Sequence, residues 1–271
     1  MKITIIGLGL IGGSIAKSLS RSGKHQIIGF DADEDVMLEA ISLGAISRKG
    51  NIDDLKDSSV VYVCLYPEEC VRFIEANSVY FGSGTLVTDV CGVKRPVYEP
   101  IKRIADEAGF QYTGSHPMAG KEKSGFYESD GGLFYGASYI IVGDEQDTVL
   151  SGLAAEMGFG RVVHTTAEYH DEMIAFTSQV PHAIACAYVK SPRCAGHKGF
   201  SAGSYRDVSR VADINSALWA DLFLSNRKAL VDELDCLLDN ISNIKELISK
   251  GDREKLCEFL QESGNLKKEL G

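Results

Sequence analysis

The features this 271-residue chain lacks narrow the possibilities first. No apolar run approaches the ~20 residues of a membrane-spanning helix, so no such span is expected. No charged leader with a small-residue cleavage site precedes the apolar run at residue 2, so no secretory leader is expected. Basic charge is scarce: 28 Lys and Arg face 38 Asp and Glu, for a net charge of −10. A nucleic-acid partner would call for a basic face, and none is expected. The cysteines are odd in number (seven) and scattered over 64, 70, 91, 186, 194, 236 and 257. They read as reduced thiols of a cytoplasmic protein, not as a disulfide framework. Cys194 and His197 have the spacing of half a zinc site, but no second pair accompanies them, so no metal is expected. No internal repeat or low-complexity tract is present.

The informative stretch lies at the start. Lys2 to Ile6 has strand character, Gly7-Leu8-Gly9-Leu10-Ile11-Gly12 follows, and Ser14 to Leu19 reads as a helix. Strand, G-x-G-x-x-G and helix in that order form a dinucleotide fingerprint. Its first glycine makes the tight turn, the second admits a pyrophosphate, and the third lets helix pack on strand. Unpaired N–H groups at Leu10, Ile11 and Gly12 would hold the phosphates. A second strand, Gln26 to Phe30, ends in Asp31, about 20 residues on, where a carboxylate meets the adenosine ribose. Asp31 and Asp33 would repel a 2′-phosphate, which points to NAD over NADP.

Up to His164 strand and helix patterns alternate, with strands expected at 2–6, 26–30, 59–65, 84–88, 110–114, 138–142 and 161–164. Continuous apolar strands such as Val60 to Leu65 imply a mostly parallel, doubly wound sheet covered on both faces. Cofactors bind such sheets at the carboxyl ends of the strands, which places Leu65, Tyr66 and Asp89 beside the nicotinamide half. The fold class is therefore α/β, a Rossmann-type domain over 1–164 followed by an all-helical domain over 165–271.

The helical part is expected to open on a capping box at Thr165-Thr166-Ala167-Glu168, with Pro181 kinking the first helix without ending it. A single long helix is expected from Ala217 to Ser249. Its Leu230, Leu234, Leu237, Ile241, Ile244 and Ile248 follow the alternating four-three rhythm of a coiled coil, which favours a homodimer. A last short helix is expected over 252–262. The active site should lie in the cleft between the two parts.

Hydride transfer from an alcohol carbon needs a group to manage the hydroxyl proton, and histidine suits that task near neutral pH. Of six histidines, His25, His164 and His197 sit in surface or strand-end contexts, and His170 reads as half-exposed near a helix start. His116, beyond the carboxyl end of a strand, and His182, beside Pro181, stand out. The third element is Tyr205-Arg206-Asp207-Val208-Ser209-Arg210, with 206 and 210 on one face of a helix. Between 182 and 210 there are five Lys or Arg and one acid in an otherwise acidic chain. A planar guanidinium there suits a substrate carboxylate.

Together these segments resemble the prephenate/arogenate dehydrogenase family of tyrosine biosynthesis. The resemblance rests on Gly7 to Ser14, Thr88-Asp89-Val90, Gly114-Ser-His-Pro-Met-Ala-Gly120 through Lys123-Ser-Gly125, Ser178 to His182, and Tyr205 to Arg210 with Trp219 beyond. It implies NAD-dependent oxidative decarboxylation of a cyclohexadienol, of prephenate first and arogenate as the alternative. It further implies that His116 accepts the ring-hydroxyl proton and that Arg210 anchors a carboxylate, oriented by Asp207. His182 and Ser178 would contact substrate, Glu122 would gate the cleft, and Trp219 would line the side-chain region. Two positions depart from the family: its serine before the lysine is Gly92 here, preceded by Cys91, and a family histidine is replaced by Gln179. A β-hydroxyacid dehydrogenase would carry a lysine and an asparagine at helical spacing over 170–189, and neither occurs there. A non-catalytic NAD-binding redox sensor would need no paired histidines and arginine facing a cleft.

Overall fold

The computed structural model describes residues 1–121, 123–143 and 147–270. Its first layer is a six-stranded sheet of β1 (Lys2–Ile6), β2 (Gln26–Phe30), β3 (Arg48–Lys49), β4 (Val60–Val63), β5 (Leu86–Asp89) and β6 (Gln111–Tyr112). All pairings are parallel, in the order β3-β2-β1-β4-β5-β6. The two-residue β3 is too short to announce itself in the sequence pattern.

Alternation along the central strands explains their continuous apolar runs. Ile3, Ile5, Val60 and Tyr62 pack into one core with Ile15 and Leu19 of α1 (Leu10–Ser20). Ile6, Val61 and Val63 point the other way, onto α4 (Pro67–Asn77) and α5 (Arg95–Ala108). A side chain faces each core in turn, so both faces are buried, and the polar Thr4 of β1 is accommodated by a hydrogen bond with Ser58 at 2.7 Å. The shorter α2 (Glu34–Ser42) and α3 (Asp54–Asp57) complete this part.

The strand expected over 110–114 is two strands in two sheets. After β6, Thr113 donates to the Val87 carbonyl at 3.1 Å, and the chain then departs at Gly114. A Cβ at Gly114 would stand 3.3 Å from both the Asp89 carboxylate and the Tyr98 ring, so the departure is tight. The next strand, β7 (Gly114–Pro117), opens a three-stranded sheet with β8 (Ser138–Val142) and β9 (Arg161–Thr165). β7 runs antiparallel to β8, with His116 opposite Ile140, and β8 runs parallel to β9. His116 is thereby fixed within a strand, not carried on the loop after one. Between β8 and β9 lies α6 (Thr148–Met157), capped by Asp147.

The remainder is helical. Thr166, one residue later than the expected box, caps α7 (Ala167–Ile174) by accepting from the Tyr169 N–H at 3.3 Å. A five-residue π-helical stretch, Ala175–Gln179, joins α7 to α8 (Val180–Val189), so Pro181 does not end the helix. Then come α9 (Gly203–Ser209) and a 3₁₀ turn, Arg210–Ala212. The long helix expected over 217–249 is divided into α10 (Ser216–Ser225) and α11 (Arg227–Lys250). Asn226 causes the break: its buried side chain donates to the Asp171 carbonyl and to Gln179 Oε1, each at 2.8 Å. Gly251, at φ +67°, turns the chain into α12 (Arg253–Leu270), longer than expected. No helix among the described residues is long and apolar enough to cross a membrane.

Candidate active site

One cleft of about 760 Å³ runs from the carboxyl ends of β1 and β4 to the helical half. At one end is the glycine turn. Gly7 has φ +86°, and a Cβ on it would meet the Cys64 carbonyl oxygen at 2.6 Å. A Cβ on Gly12 would fall 1.9 Å from the Gly7 carbonyl oxygen, so α1 packs against the turn only because residue 12 is glycine. Around Gly9, by contrast, a Cβ would meet nothing within 4 Å. That open cradle sits at the amino end of α1, which has no side-chain cap, with Leu10 and Ile11 on the cleft wall. Asp31 at the end of β2 accepts from the Leu8 N–H at 2.7 Å and the Asp33 N–H at 3.0 Å and still lines the cleft. An open phosphate cradle followed by a ribose-directed carboxylate fits NAD. Leu65 and Tyr66 line the cleft next to it.

At the other end stands His116, half-buried on β7. Its Nδ1 is 2.9 Å from His170 Nε2, and His170 Nδ1 is 2.7 Å from the Asp171 carboxylate. Burial pushes the His116 pKa well below the usual histidine value, and His170 and buried Lys94 push the same way. Burial lowers His170 too, against an opposing pull from Asp171. Asp171 is fully buried and accepts from the backbone N–H groups of Lys94 (2.7 Å) and Arg95 (2.9 Å) at the start of α5. His170 is not half-exposed as the sequence suggested; it is 2% exposed. Two adjacent polar residues at a helix start gave no sign of this, because only the packing of α7 against α5 and β7 buries them.

The helical half contributes His182, Ser178, Arg210 and Trp219. His182 Nδ1 donates to the Ser178 carbonyl at 2.8 Å, and its ring stacks on Trp219 with centroids 3.7 Å apart. The π-helical stretch that includes Ser178 widens the helix just where it faces the cleft, as such bulges often do at functional sites. Arg210 begins the 3₁₀ turn and lines the cleft opposite the glycine turn's half of the chain.

Two expected positions lie away from the cleft wall. Asp89 is not on the cleft wall: it is fully buried, paired with Lys94 and accepting from the Tyr112 hydroxyl at 2.7 Å. A buried ammonium demands such a partner, which keeps the carboxylate beneath the site. Asp207, on α9, is 77% exposed beside Arg206 and outside the cleft wall. Glu122 lies outside the described residues. Gln179, in the place of a family histidine, is a buried joint that donates to the Leu222 carbonyl at 3.1 Å and accepts from Asn226.

A parallel nucleotide-binding sheet in the order β3-β2-β1-β4-β5-β6, an open phosphate cradle and a cleft histidine define a nicotinamide-dependent dehydrogenase. Comparison with known proteins makes this specific. Residues 15–154 match the prephenate dehydrogenase nucleotide-binding domain, and residues 166–262 match the prephenate dehydrogenase dimerization domain. The chain is 30% identical over 285 residues to prephenate dehydrogenase of Bacillus subtilis, covering 96% of this chain and 74% of that one. Among solved structures, Synechocystis arogenate dehydrogenase superposes with a TM-score of 0.86 at 25% identity, covering 100% of both chains. Prephenate dehydrogenase of A. aeolicus, solved in complex with hydroxyphenyl propionate and NAD+, superposes with a TM-score of 0.84 at 28% identity, covering 100% of this chain and 98% of that one. This chain belongs to the prephenate dehydrogenase family and is an oxidoreductase.

Proposed function

We propose that this chain catalyses the NAD-dependent oxidative decarboxylation of prephenate to 4-hydroxyphenylpyruvate. The observation that carries the reading is a single cleft lined by Gly9 and Asp31 at one end and by His116 and Arg210, from the two halves of the chain, at the other. Gly7, Gly9, Leu10, Ile11, Gly12 and Asp31 hold the cofactor, with Leu65 and Tyr66 flanking its nicotinamide half. When bound, NAD supplies the hydride acceptor.

The protein's own part is to place the ring and handle one proton. His116, held neutral by burial, takes the proton of the ring hydroxyl. Arg210 pairs with a substrate carboxylate. His182, with Nδ1 committed to the Ser178 carbonyl, presents Nε2 to the substrate, and Ser178 and Trp219 shape the wall around it. As carbon dioxide leaves the opposite carbon the ring becomes aromatic, which supplies much of the driving force.

The division at 164/165 is part of this reading, the first segment binding nucleotide and the second completing the cleft. So is a homodimer in a reducing, cytoplasmic setting. Along α11 the apolar stripe is buried at Leu230 but leaves Ile241 49% and Ile248 61% exposed in the single chain. A second copy would cover those residues.

A second reading rests on Asp213, which lines the cleft three residues beyond Arg210. A carboxylate there suits the ammonium of arogenate, where prephenate has a keto group. NADH formation followed by absorbance, with prephenate and arogenate compared by kcat/KM, decides between them. Absence of NADH with both would end the dehydrogenase reading and leave a nucleotide-binding sensor.

A further inference from the structure

The base itself is oriented by groups that never reach the cleft. Asp171 accepts two backbone N–H groups from the start of α5, so toward His170 it acts as an acceptor. His170 must then carry its proton on Nδ1, which leaves Nε2 as an acceptor. His116 Nδ1 stands 2.9 Å from that lone pair and must therefore carry the proton. The remaining nitrogen, His116 Nε2, faces Gly92: a Cβ there would be 3.7 Å away. A serine at 92 would bring a hydroxyl to this nitrogen. Glycine brings none, so the orientation of the ring is set from the Nδ1 side.

We propose that His170 and Asp171 are positioning residues of the dehydrogenation: they fix His116 with Nδ1 protonated, Nε2 free toward the cleft, and they share the charge when the substrate's proton arrives. This rests on the dehydrogenase reading above. In the step, the substrate O–H bond breaks with its electron pair staying on oxygen as hydride leaves the same carbon. An Nε2–H bond forms on His116. The Nδ1 proton remains in the hydrogen bond to His170 Nε2, so the new positive charge is spread toward the Asp171 carboxylate and no proton is lost to solvent. The logic is that of a carboxylate fixing the tautomer of a catalytic imidazole, with a second imidazole interposed. The charged groups that face the pair are Asp171 on α7, Lys94 ahead of α5 and Asp89 at the end of β5. Of these, Lys94 opposes protonation of both rings, and the two carboxylates favour it at His170.

The first test is nitrogen-15 NMR of the histidines in the intact protein at neutral pH, with His116 assigned by loss of its signals in His116→Asn. An Nδ1-protonated His116 is expected, and an Nε2-protonated one overturns the proposal. No substrate is needed, so failure of the dehydrogenase reading registers separately. The second test is kinetic. His170→Leu is expected to lower kcat roughly 10²-fold, the lower part of what a positioned base contributes, with KM and NAD affinity unchanged. His170→Gln, whose amide oxygen can accept from Nδ1–H, should recover part of the lost kcat. Wild-type kcat in a folded His170→Leu overturns the proposal, as does equal loss in the Leu and Gln variants.

Discussion

In the proposed reaction His116, Arg210 and Asp31 divide the chemistry at the scale of single residues, and each can be tested apart from the others. His116→Asn should lower kcat by roughly 10²-fold or more with little change in KM, because a positioned base acts in the transition state and not on ground-state binding. Steady-state kinetics with saturating NAD checks this. The depressed pKa of His116 also sets a pH dependence. A base works in its neutral form, so kcat/KM should hold steady as pH falls through the usual histidine value of about 6.5 and decline only at lower pH. Arg210→Gln should chiefly raise KM, since it removes a carboxylate partner from bound substrate and transition state alike. Asp31→Ala should relax the preference for NAD, read as the ratio of kcat/KM with NAD and NADP. Asp31, His116 and Arg210 were legible in the sequence because glycine spacing, strand ends and an isolated guanidinium in an acidic chain each carry a local chemical meaning. His170 was not legible, since its burial depends on three elements distant in the chain.

At the scale of elements, a few polar residues decide where strands and helices end. The apolar rhythm continues from α10 into α11 without interruption, so the periodicity shows one helix. Asn226 breaks it because its buried amide reaches the Asp171 carbonyl and Gln179, and no local pattern encodes that need. Asn226→Ala should destabilise the fold by about 1–3 kcal/mol, the cost of leaving buried partners unpaired, seen as a lower Tm. The joint lies directly behind Asp171, so the same variant also loosens the support of the His116 ring. The β6–β7 division has a similar origin. The residues from 110 to 117 look continuous, but Gly114 lets the chain leave the main sheet, and β8 captures the next four residues antiparallel.

For the whole molecule, the exposed apolar side chains of α11 are joined by others on α12, where Leu260, Leu266 and Leu270 are 57%, 50% and 80% exposed. Apolar exposure on this scale is the kind that association between copies would cover. Ile241→Glu combined with Ile248→Glu should convert the proposed dimer to monomer, measured as molar mass by light scattering. A wild-type chain that is itself monomeric at micromolar concentration would remove the homodimer from the functional reading.

By itself the sequence determined the strand–turn–helix geometry of the cofactor end, the two-faced parallel sheet and most of the helices. These depend on spacing between near neighbours: glycines that must fit beneath a carbonyl, side chains alternating between two cores, apolar residues recurring each turn. Only the tertiary structure decided that His116 lies on a strand, that His170 and Asp171 stand behind it, that Asp89 serves Lys94 and not the cleft, and that Asp207 turns to solvent. Those outcomes depend on which buried donor meets which acceptor when remote elements close together. Hydrogen bonding of buried groups is satisfied in three dimensions and leaves no period in the chain.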